Sequence, residues 1–591
     1  MKGSAVDGGG GGADVLLTVA VEEYFQVQAL RAYIPASRWD RFESRVRRNT
    51  ERTLELLESV GATATFFVSG WIAERHPAVV REVAEAGHEV ACLGYDHRPL
   101  REFDAAGFRA DVRKGKAAVE QASGREAIGY RIPHGWFGPA DLWALDILAE
   151  EGFLYDSSLC PAFRRFADEP WRRFIHAIER GERRLIEVPP GTVRLAGLDW
   201  PIAGGNYLRQ LPRAWLRFGM AAWRRSTTQP FVMYFHVWDL DPDQPRITAA
   251  GWLPRLRQYR NLHRMRDFLQ RHLEGATATS IAEHLRMAAG RRTFAEPAAR
   301  PAARPAAAAR EERPAERVTV VVPCYNEEAV LPYLAQTLAS VRKAYRGRYR
   351  LSFVFVDDAS TDRTWEVLQS LFGGSDDCRL LRHDTNRGVA AAVLTGLRNA
   401  DTELVVSIDC DCSYDPHEIG RLLDRLRPGV ALVTASPYHL LGEVRNVPGW
   451  RLFLSRSLSR LYRALFRQKL HTYTSCFRAY RRSLVLPLEL ERGDFMGMTE
   501  MLVRLDLRGA RLAEVPAVLE ARLLGHSKLR ALPTILRHLA LLAQLVWWKL
   551  TRRAGKGPAP GGEAEEISYE RSEPAPTGAP ERPERQRKVV R

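Results

Sequence analysis

The sequence has no long apolar run and no pattern that would support disulfide bonding. No stretch of about 18 uninterrupted apolar residues occurs, so a membrane-spanning helix is not expected. The Gly-rich residues 1–12 lack the apolar core of a signal peptide. The 7 cysteines are scattered, odd in number and without a CxxC pair, which argues against a disulfide framework. These absences predict a cytoplasmic protein in a reducing compartment.

The balance of charge is positive, because 87 Lys and Arg stand against 71 Asp and Glu and give a formal net charge of +16. Such an excess favours an anionic partner, although an Arg-rich composition alone would produce the same total. Zinc-finger spacing and basic runs interleaved with aromatic residues are both missing. We therefore expect no nucleic-acid partner, and an acidic membrane or a phosphorylated substrate is the better candidate.

Composition divides the chain into two folded segments and three segments of low complexity, and 591 residues suit two or three domains. Pro, Ala and Arg dominate the segment between the two folded regions and cannot build a core there. The predicted boundaries are 1–13 (disordered), 14–288 (first folded segment), 289–316 (linker), 317–530 (second folded segment), 531–553 (amphipathic helix) and 554–591 (disordered tail).

Both folded segments alternate between apolar strand patterns and amphipathic helix patterns, which predicts an α/β fold with parallel strands. In the first segment, residues 15–21 and 64–69 have the pattern of buried strands. In the second, buried strands are predicted at 317–323, 351–356 and 404–408, with helices between them. A β-α-β-α-β order predicts a doubly wound sheet that binds its ligands at the carboxyl ends of the strands.

Two carboxylates follow the predicted strand 404–408 directly. Asp409 and Asp411 alternate on an extended backbone, so both side chains can point to the same side. Mg²⁺ and Mn²⁺ prefer oxygen ligands and can neutralise a leaving diphosphate. A solitary D-x-D is more often a cap or a turn, so the pair needs support from its surroundings.

That support comes from the ends of the two preceding strands, which also carry acidic and small polar residues. The first runs into the sequence PCYNEE, and the second runs into Asp358 and Asp362. Asp358 is predicted to bind the nucleoside, and Asp362 to cap the following helix. Asn386 and Gly388 precede a helix of small residues and would allow close approach of the backbone to a ligand.

Six motifs in the second segment occur in the order typical of one family. They are VVVPCYNEE, VDDASTDRT, NRGVAAAVLTG, SIDCDCSYDP, TSCFRAYRR and GHSKLR. On these motifs the segment resembles the family-2 inverting glycosyltransferases of GT-A fold. Within that family it is most similar to the dolichol-phosphate mannose synthase type, which includes bacterial polyprenyl-phosphate glycosyltransferases. The resemblance implies a nucleotide-sugar donor, Mg or Mn as cofactor, and a polyprenyl phosphate or a glycan as acceptor.

The resemblance also implies roles for the residues that match these motifs. The implied residues are Asp409, Asp411 and Arg478 for catalysis, Asp409 and Asp411 for the metal, and Pro323, Tyr325, Glu327, Asp358, Asn386, Gly388 and Lys528 for the nucleotide sugar. The chain departs from the family at Cys476, where Gly is frequent, and at Ser436-Pro437, where Ser-Arg is frequent. These departures concern the acceptor side more than the donor side.

The acceptor class is left open by the sequence. A phosphate is already anionic at neutral pH and needs no general base, whereas a sugar hydroxyl needs one. Asp415, Asp494 and Glu500 are candidates for a base, but each also suits a cap or a surface position. The lack of an unambiguous base favours a polyprenyl-phosphate acceptor.

Two amphipathic stretches, 450–470 and 532–550, predict peripheral contact with the inner face of a membrane. The second contains Trp547 and Trp548 and is followed by basic residues, which is typical of an interfacial anchor. The alternative is an ordinary helix that packs on the core.

The first segment resembles the polysaccharide deacetylases, a carbohydrate-esterase family with a distorted (β/α) barrel. The motifs are GATATFFVSG, GHEV, GYDHR, GYRIP and YFHVW. Active members use an Asp base, an Asp and two His that hold Zn²⁺, and a late His acid. The family subgroup implied here is associated with exopolysaccharide loci.

The chain departs from the deacetylase pattern at the residues that carry the chemistry. The corresponding positions are Ala20 for the base, Glu23 or Glu22 for the metal carboxylate, Leu93 and His97 for the metal histidines, with Arg131 and His236 retained. Zn at this site is not expected, because Leu cannot bind a metal. We therefore predict a pseudoenzyme domain. The alternatives are a hydrolase in which His88 or His134 serves instead, and a glycan-binding scaffold without turnover.

Overall fold

The structure is a computed structural model that describes residues 13–163, 165–180, 183–287, 315–447, 449–525 and 531–551. The predicted site residue Lys528 lies outside the described residues. The predicted linker and the two predicted terminal segments also lie almost wholly outside them. The described residues form two α/β domains that contact each other, which agrees with the predicted fold class.

The first domain is built on a nine-stranded sheet. All its strands are β1 (Val15–Val21), β2 (Thr65–Val68), β3 (Glu89–Cys92), β4 (Gly129–Tyr130), β5 (Tyr155–Asp156), β6 (His176–Arg180), β7 (Arg183–Glu187), β8 (Thr192–Leu195), β9 (Leu198–Pro201), β10 (Phe231–His236) and β11 (Ala278–Thr279). Its helices are α1 (Val46–Ser59), α2 (Gly70–Arg75), α3 (Pro77–Glu85), α4 (Ala105–Ser123), α5 (Trp143–Glu150), α6 (Gly205–Gln210), α7 (Arg213–Ser226), α8 (Trp252–Tyr259), α9 (Met265–Leu273) and α10 (Ile281–His284).

The strand order is β10-β1-β2-β3-β4-β5-β7-β6, with β11 also paired to β1, while β8 and β9 form a separate hairpin. Every pair in the large sheet is parallel except β6–β7. All seven residues of β1 are buried, as expected for a strand covered on both faces. Among the described residues no pairing joins β6 to β10, so the sheet stays open between these two strands.

The second domain is built on a seven-stranded sheet, and two further strands of the domain pair with each other in a separate small sheet. All its strands are β12 (Glu316–Cys324), β13 (Tyr349–Asp357), β14 (Cys378–Arg382), β15 (Leu404–Ser407), β16 (Val430–Ser436), β17 (Glu443–Arg445), β18 (Arg478–Arg481), β19 (Arg511–Pro516) and β20 (Val518–Glu520). Its helices are α11 (Leu331–Tyr345), α12 (Thr364–Phe372), α13 (Val389–Arg398), α14 (Ile419–Arg425), α15 (Gly449–Leu465), α16 (Arg482–Val485), α17 (Phe495–Leu507) and α18 (Ala531–Thr551).

The order in this sheet is β14-β13-β12-β15-β18-β16-β19, and β18 is antiparallel to both of its neighbours. The central strand β12 is rich in valine, and Val318, Val320, Val321 and Val322 are all fully buried. The chain leaves β12 towards β13 on one side, and β15 lies on the other, so the strand order reverses at β12. The loops after β12, β13 and β15 meet at this switch point, which is where the prediction places the ligands.

The two domains share a hydrophobic cluster. Phe42 of the first domain packs edge-on against Tyr333 of the second, with ring centroids 4.9 Å apart. The ion pair between Arg41 and Asp415, 3.0 Å long, lies beside this contact. The first domain therefore touches the second close to the loop that follows Asp411.

The last helix, α18, packs on the second domain with one face and exposes the other. His538, Leu541 and Leu545 are buried, whereas Leu539 and Trp547 are exposed. Within the part of the chain that the structure describes, no helix combines the length and the apolar character that crossing a membrane requires.

Candidate functional site

Three carboxylates and one guanidinium converge at the switch point of the second sheet. The Nε of Arg522 donates to Oδ2 of Asp411 over 2.7 Å, and its terminal nitrogen lies 2.9 Å from Oε1 of Glu327. Asp409 is two residues before Asp411, and the charges of Asp411, Arg522 and Glu327 all act on its carboxylate. The structure thus brings together the predicted metal residues and Glu327, which comes from the loop after β12.

The electrostatics of this acidic cluster favour a cation. Burial, followed by the negative charge of Asp411, raises the pKa of Asp409 to about 7, and Arg522 only partly offsets this effect. The donor set consists of carboxylate oxygens from two adjacent loops, which is the chemistry that Mg²⁺ and Mn²⁺ prefer. The residues present therefore fit a hard divalent ion.

Asp358 organises the loop that carries Asn386 and Gly388. Its Oδ1 accepts from the backbone N–H of Arg387 over 2.8 Å and its Oδ2 from that of Gly388 over 2.7 Å. The ring Nδ1 of His383 lies 2.7 Å from Oδ1, and the Asn386 amide donates to the Asp358 carbonyl over 3.3 Å. Because both carboxylate oxygens are engaged within the protein, we assign Asp358 a positioning role, and its contact with a nucleoside stays a prediction.

Gly388 occupies a position that only glycine fits. Its φ is +91°, and a Cβ placed there would lie 2.5 Å from the Cα of Asp494 and 2.6 Å from the carbonyl oxygen of Gly493. The loop after β14 therefore lies directly on the N-terminal end of α17. Packing of this loop on α17 thus requires the glycine, and direct binding of a ligand by Gly388 stays a prediction.

The loops after β12 and β13 are cross-linked by Asn326, which has a positive φ of 53°. Its backbone N–H donates to Ser360 Oγ over 2.8 Å, and its Oδ1 accepts from the N–H of Thr361 over 2.7 Å. Pro323 and Tyr325 are partly exposed at this edge, as a nucleotide pocket requires. Asp362 accepts from the N–H of Thr364, the first residue of α12, over 3.0 Å and so acts at that helix terminus.

The predicted role of Arg478 requires a correction. Its side chain is fully buried, and its guanidinium donates to the backbone carbonyls of Met498 and Tyr473 over 2.6 and 3.0 Å. Burial also lowers its pKa. A side chain held by two main-chain carbonyls inside the core does not face a phosphate, so Arg478 braces α17 against β18 in place of the predicted catalytic role.

In the first domain, Glu22 lies among His97, His236 and Trp238, and we call these four residues the remnant site. Its Oε2 lies 2.6 Å from Nε2 of His97, and its Oε1 accepts from Trp238 Nε1 over 3.0 Å and lies 3.6 Å from Nε2 of His236. Burial alone would raise the pKa of Glu22, but the charges of His236 and His97 lower it to about 2. His97 also contacts His134, with ring nitrogens 3.0 Å apart.

The sequence left Glu23 and Glu22 open as the carboxylate of this site, and the structure places Glu22 there. The carboxylate of Glu23 accepts from Ser44 and from the backbone N–H groups of Arg45 and Val46 at the start of α1. Successive residues of an extended chain point to opposite sides, so only one of the two glutamates can face the remnant site.

The other predicted positions of this site are apolar or structural. Ala20 and Leu93 are 4% and 2% exposed and belong to one hydrophobic cluster. Arg131 donates to Thr18 Oγ1 over 2.9 Å and to the carbonyl of Ser157 over 3.1 Å. Where a base and a second metal histidine would stand, the structure therefore has only aliphatic surface.

The remnant site is also covered. His97 is only 1% exposed, and Trp39 packs edge-on against its ring at a centroid distance of 6.1 Å. Trp39 and Trp238 belong to the hydrophobic cluster that the two domains share. One residue that contacts this site and one that belongs to it thus also take part in the contact between the domains.

Three family models match separate parts of the chain. Residues 319–486 match glycosyl transferase family 2, residues 39–146 match polysaccharide deacetylase, and residues 157–286 match a domain of unknown function, DUF3473. The polyprenol monophosphomannose synthase of Mycolicibacterium smegmatis is 33% identical over 225 residues, which are 37% of this chain and 82% of that protein. The chain belongs to glycosyl transferase family 2.

Other curated relatives of this family-2 domain are matched over a smaller share of their length. The dolichol-phosphate mannosyltransferase of Pyrococcus furiosus is 28% identical over 39% of this chain and 64% of that protein. The undecaprenyl-phosphate 4-deoxy-4-formamido-L-arabinose transferase of Pseudomonas paraeruginosa is 35% identical over 29% of this chain and 49% of that protein. The prediction of a family-2 glycosyltransferase C-terminal to a deacetylase-like domain is confirmed.

Solved structures of both kinds are similar to parts of this family-2 chain. A chain from Mycobacterium smegmatis assigned to the polysaccharide deacetylases is 22% identical and covers 50% of this chain and 98% of its own, with a TM-score of 0.33. The mannosyltransferase PcManGT of Pyrobaculum calidifontis, solved with GDP-Man and Mn²⁺, is 22% identical and covers 42% of this chain and 66% of its own, with a TM-score of 0.29.

The residue of the family-2 site that sequence reasoning missed is Arg522. It follows β20, far along the chain from both Glu327 and Asp411, and one arginine among many in a loop carries no periodic signal. The only available signal was its position three residues before Gly525 of the GHSKLR motif.

Proposed function

We propose that the second domain transfers a sugar, with inversion, from a nucleotide diphosphate to a polyprenyl phosphate in envelope or exopolysaccharide synthesis. The observation that carries this proposal is the convergence of Glu327, Asp409, Asp411 and Arg522 at the switch point of the sheet. Opposite charges at one strand edge suit a diphosphate and its cation. Three relatives are named for polyprenol, dolichol-phosphate and undecaprenyl-phosphate substrates, which agrees with this substrate class.

Asp409 and Asp411 would hold Mg²⁺ or Mn²⁺, which when bound would neutralise the leaving diphosphate as a Lewis acid. Arg522 lies within hydrogen-bond distance of Asp411 and of Glu327, so its guanidinium already faces the region where phosphate oxygens would lie. Arginine suits this role because its planar fork can bind two phosphate oxygens together.

The surroundings of the three candidate bases support a phosphate acceptor. Asp415 pairs with Arg41 and caps a short helix at His417, and Glu500 is fully buried and accepts from Arg504 over 2.6 Å. Asp494 caps α17 and pairs with Arg537 over 2.9 Å. Each carboxylate is already engaged, whereas an acceptor phosphate would need no base.

Peripheral attachment to the inner face of an anionic membrane is part of the proposal. Phe453 and Leu461 on α15 and Leu536 and Trp547 on α18 are 67%, 49%, 60% and 59% exposed. Helix α15 also carries exposed arginines, among them Arg460, between its exposed apolar side chains. Apolar side chains interleaved with arginine are the chemistry of a helix that lies in the interface.

The first domain is proposed to be non-catalytic. A hydrolytic zinc site needs three ligands and a base, and the base position and one histidine position are filled by Ala20 and Leu93. The remaining polar groups satisfy each other, because Glu22 pairs with His97 and His236 pairs with Asp239 over 3.1 Å.

The acceptor class can be tested by supplying purified chain with radiolabelled UDP- or GDP-sugars, Mn²⁺ and undecaprenyl phosphate in detergent. The proposal expects label in the organic phase that depends on lipid phosphate and is absent with undecaprenol. Label transferred to an oligosaccharide but never to the lipid would contradict the proposed acceptor.

A further inference from the structure

The first domain clasps the segment of the second domain that carries Arg522. Ile247 forms an antiparallel bridge with Leu524. The backbone N–H of Thr248 donates to the Leu523 carbonyl over 2.8 Å, and its hydroxyl donates to the Gly525 carbonyl over 2.6 Å. We call these five residues, 247, 248 and 523–525, the clasp.

Apolar packing reinforces the clasp. Leu523 and Leu524 are 8% and 5% exposed and lie in one cluster with Tyr24, Trp238 and Ile247 of the first domain. Trp238 also donates to Glu22, so the residue that closes the remnant site is the residue that packs on the clasp.

A second contact fixes the chain on the other side of Arg522. Arg38 of the first domain forms a partly buried ion pair with Glu520, two residues before Arg522. The backbone N–H of Glu520 donates to the Ser413 carbonyl over 3.0 Å, just after the metal carboxylates. Arg522 is therefore held by the first domain both before and after its own position.

We propose that the deacetylase-like domain is a positioning module for the transferase, and that Thr248 and Arg38 act through the 520–525 segment to aim Arg522 at Asp411 and Glu327. The inference rests on the proposed function of that site. Its physical basis is that charge stabilisation falls steeply when a donor moves by about 1 Å from its working position. Arg445 of the second domain also pairs with Glu520 over 3.5 Å, so the first domain supplies part of the contacts that fix this segment.

The first test is hydrogen exchange on the full chain, with Thr248→Val, Thr248→Ser and Thr227→Val. Valine keeps the shape of threonine and removes the hydroxyl that donates to Gly525, whereas serine keeps that hydroxyl. Thr227 accepts a backbone hydrogen bond from Gln229 in the same domain and serves as the matched control. We expect amides of the 518–525 region to exchange about five-fold faster or more in Thr248→Val alone.

The second test compares kinetics in the same variants. Thr248→Val is expected to lower kcat about ten-fold or more, with an unchanged thermal midpoint, and Thr248→Ser is expected to restore most of the rate. A purely structural role would change the thermal midpoint and leave the rate per folded molecule unchanged. Unchanged exchange at 518–525, or faster exchange with unchanged kcat, would overturn the proposal.

Charge reversal gives an independent test. Arg38→Glu and Glu520→Arg are each expected to reduce kcat, and the double variant is expected to recover part of the loss because the ion pair is restored with reversed sign. Additive losses in the double variant would count against the proposed positioning of Arg522 by the first domain. If the wild-type chain transfers no sugar from any donor, the proposed function fails, and the clasp is then judged on exchange and on the Mn²⁺ affinity of the same variants.

Discussion

Single residues of the transferase site are defined by which charges they face. Arg522 faces Asp411 and Glu327, whereas Arg478, which has the same side chain, donates to main-chain carbonyls inside the core. Motif position predicted Arg478 and could not predict Arg522, because a motif records neighbours along the chain and the pairing of Arg522 with Asp411 spans 111 positions. The position of Asp409 and Asp411 at this edge was predictable, because both carboxylates immediately follow one buried strand.

Replacing Arg522 should separate charge from geometry. We expect Arg522→Met to lower kcat about a hundred-fold, because one preorganised donor at the leaving diphosphate is lost. Arg522→Lys should recover a fraction of the rate, since it keeps the charge without the planar fork. Steady-state kinetics of purified variants provide the measurement, with Arg348→Gln at an exposed ion pair as the control. Equal activity of Arg522→Met and wild type would exclude the assigned role.

Gly388→Ala tests whether the loop lies against α17 as described. The added Cβ would meet the main chain of residues 493 and 494 at 2.5–2.6 Å, so the loop must move, at a cost of about 1–3 kcal/mol of stability. Gly429→Ala is a matched control, because Gly429 has φ +84° with no atom within 4 Å of its Cβ position. Denaturant unfolding and donor affinity should both suffer in Gly388→Ala, while the control should lose only stability.

Glu22→Gln should change the acid stability of the first domain. Its charged neighbours lower the pKa of Glu22 from the ordinary 4.5 to about 2 in the folded chain, so the ionised form stabilises the fold above pH 4.5 and loses this effect as pH falls towards 2. We expect the variant to be less stable by about 3 kcal/mol at neutral pH, with the difference shrinking below pH 4.5. Urea unfolding at pH 7, 4.5 and 3 gives the comparison, and a pH-independent difference would refute the linkage.

Secondary-structure elements were largely predictable because their patterns are local. The buried strands β12, β13 and β15 and the long helix α18 follow from apolar runs and from amphipathic spacing. Trp547 and Trp548 were predicted together as an interfacial anchor, but they lie on different faces of α18. Trp547 points outward, whereas the ring of Trp548 packs on the core and lies 4.8 Å from the Arg504 guanidinium. Adjacent helical residues diverge by about 100° around the axis, so two neighbouring tryptophans cannot share one face.

The outward face of α18 should carry membrane affinity. We expect Leu539→Ser with Trp547→Ser to reduce co-sedimentation with vesicles containing anionic phospholipid, without loss of folded structure. Leu371→Ser removes a similarly placed leucine from α12 and should leave binding unchanged. Raising the salt concentration should weaken binding of the wild type, because arginines contribute to it. Equal sedimentation of the double variant and wild type would contradict the proposed surface.

The arrangement of the whole molecule could not be predicted from the sequence. The order of the domains and the type of each fold follow from motifs, but the contact between them depends on pairs such as Arg41–Asp415 and Phe42–Tyr333 that are hundreds of positions apart. The choice between Glu22 and Glu23 could not be made from the sequence for the same reason. Glu22 is a site residue because it contacts His97, and Glu23 is a capping residue because it accepts from the start of α1, and both partners are distant along the chain.

The central claim is that Asp409 and Asp411 form a metal-dependent transferase site, and the most direct measurement is release of nucleotide diphosphate from UDP- and GDP-sugars. The assay would contain undecaprenyl phosphate in detergent with Mn²⁺ or Mg²⁺, and EDTA in a parallel reaction. The account predicts release of UDP or GDP that is abolished by EDTA and by Asp411→Asn, and retained in Asp424→Asn, which changes only an exposed ion pair. Release that persists in Asp411→Asn, or no release from any donor, would contradict it.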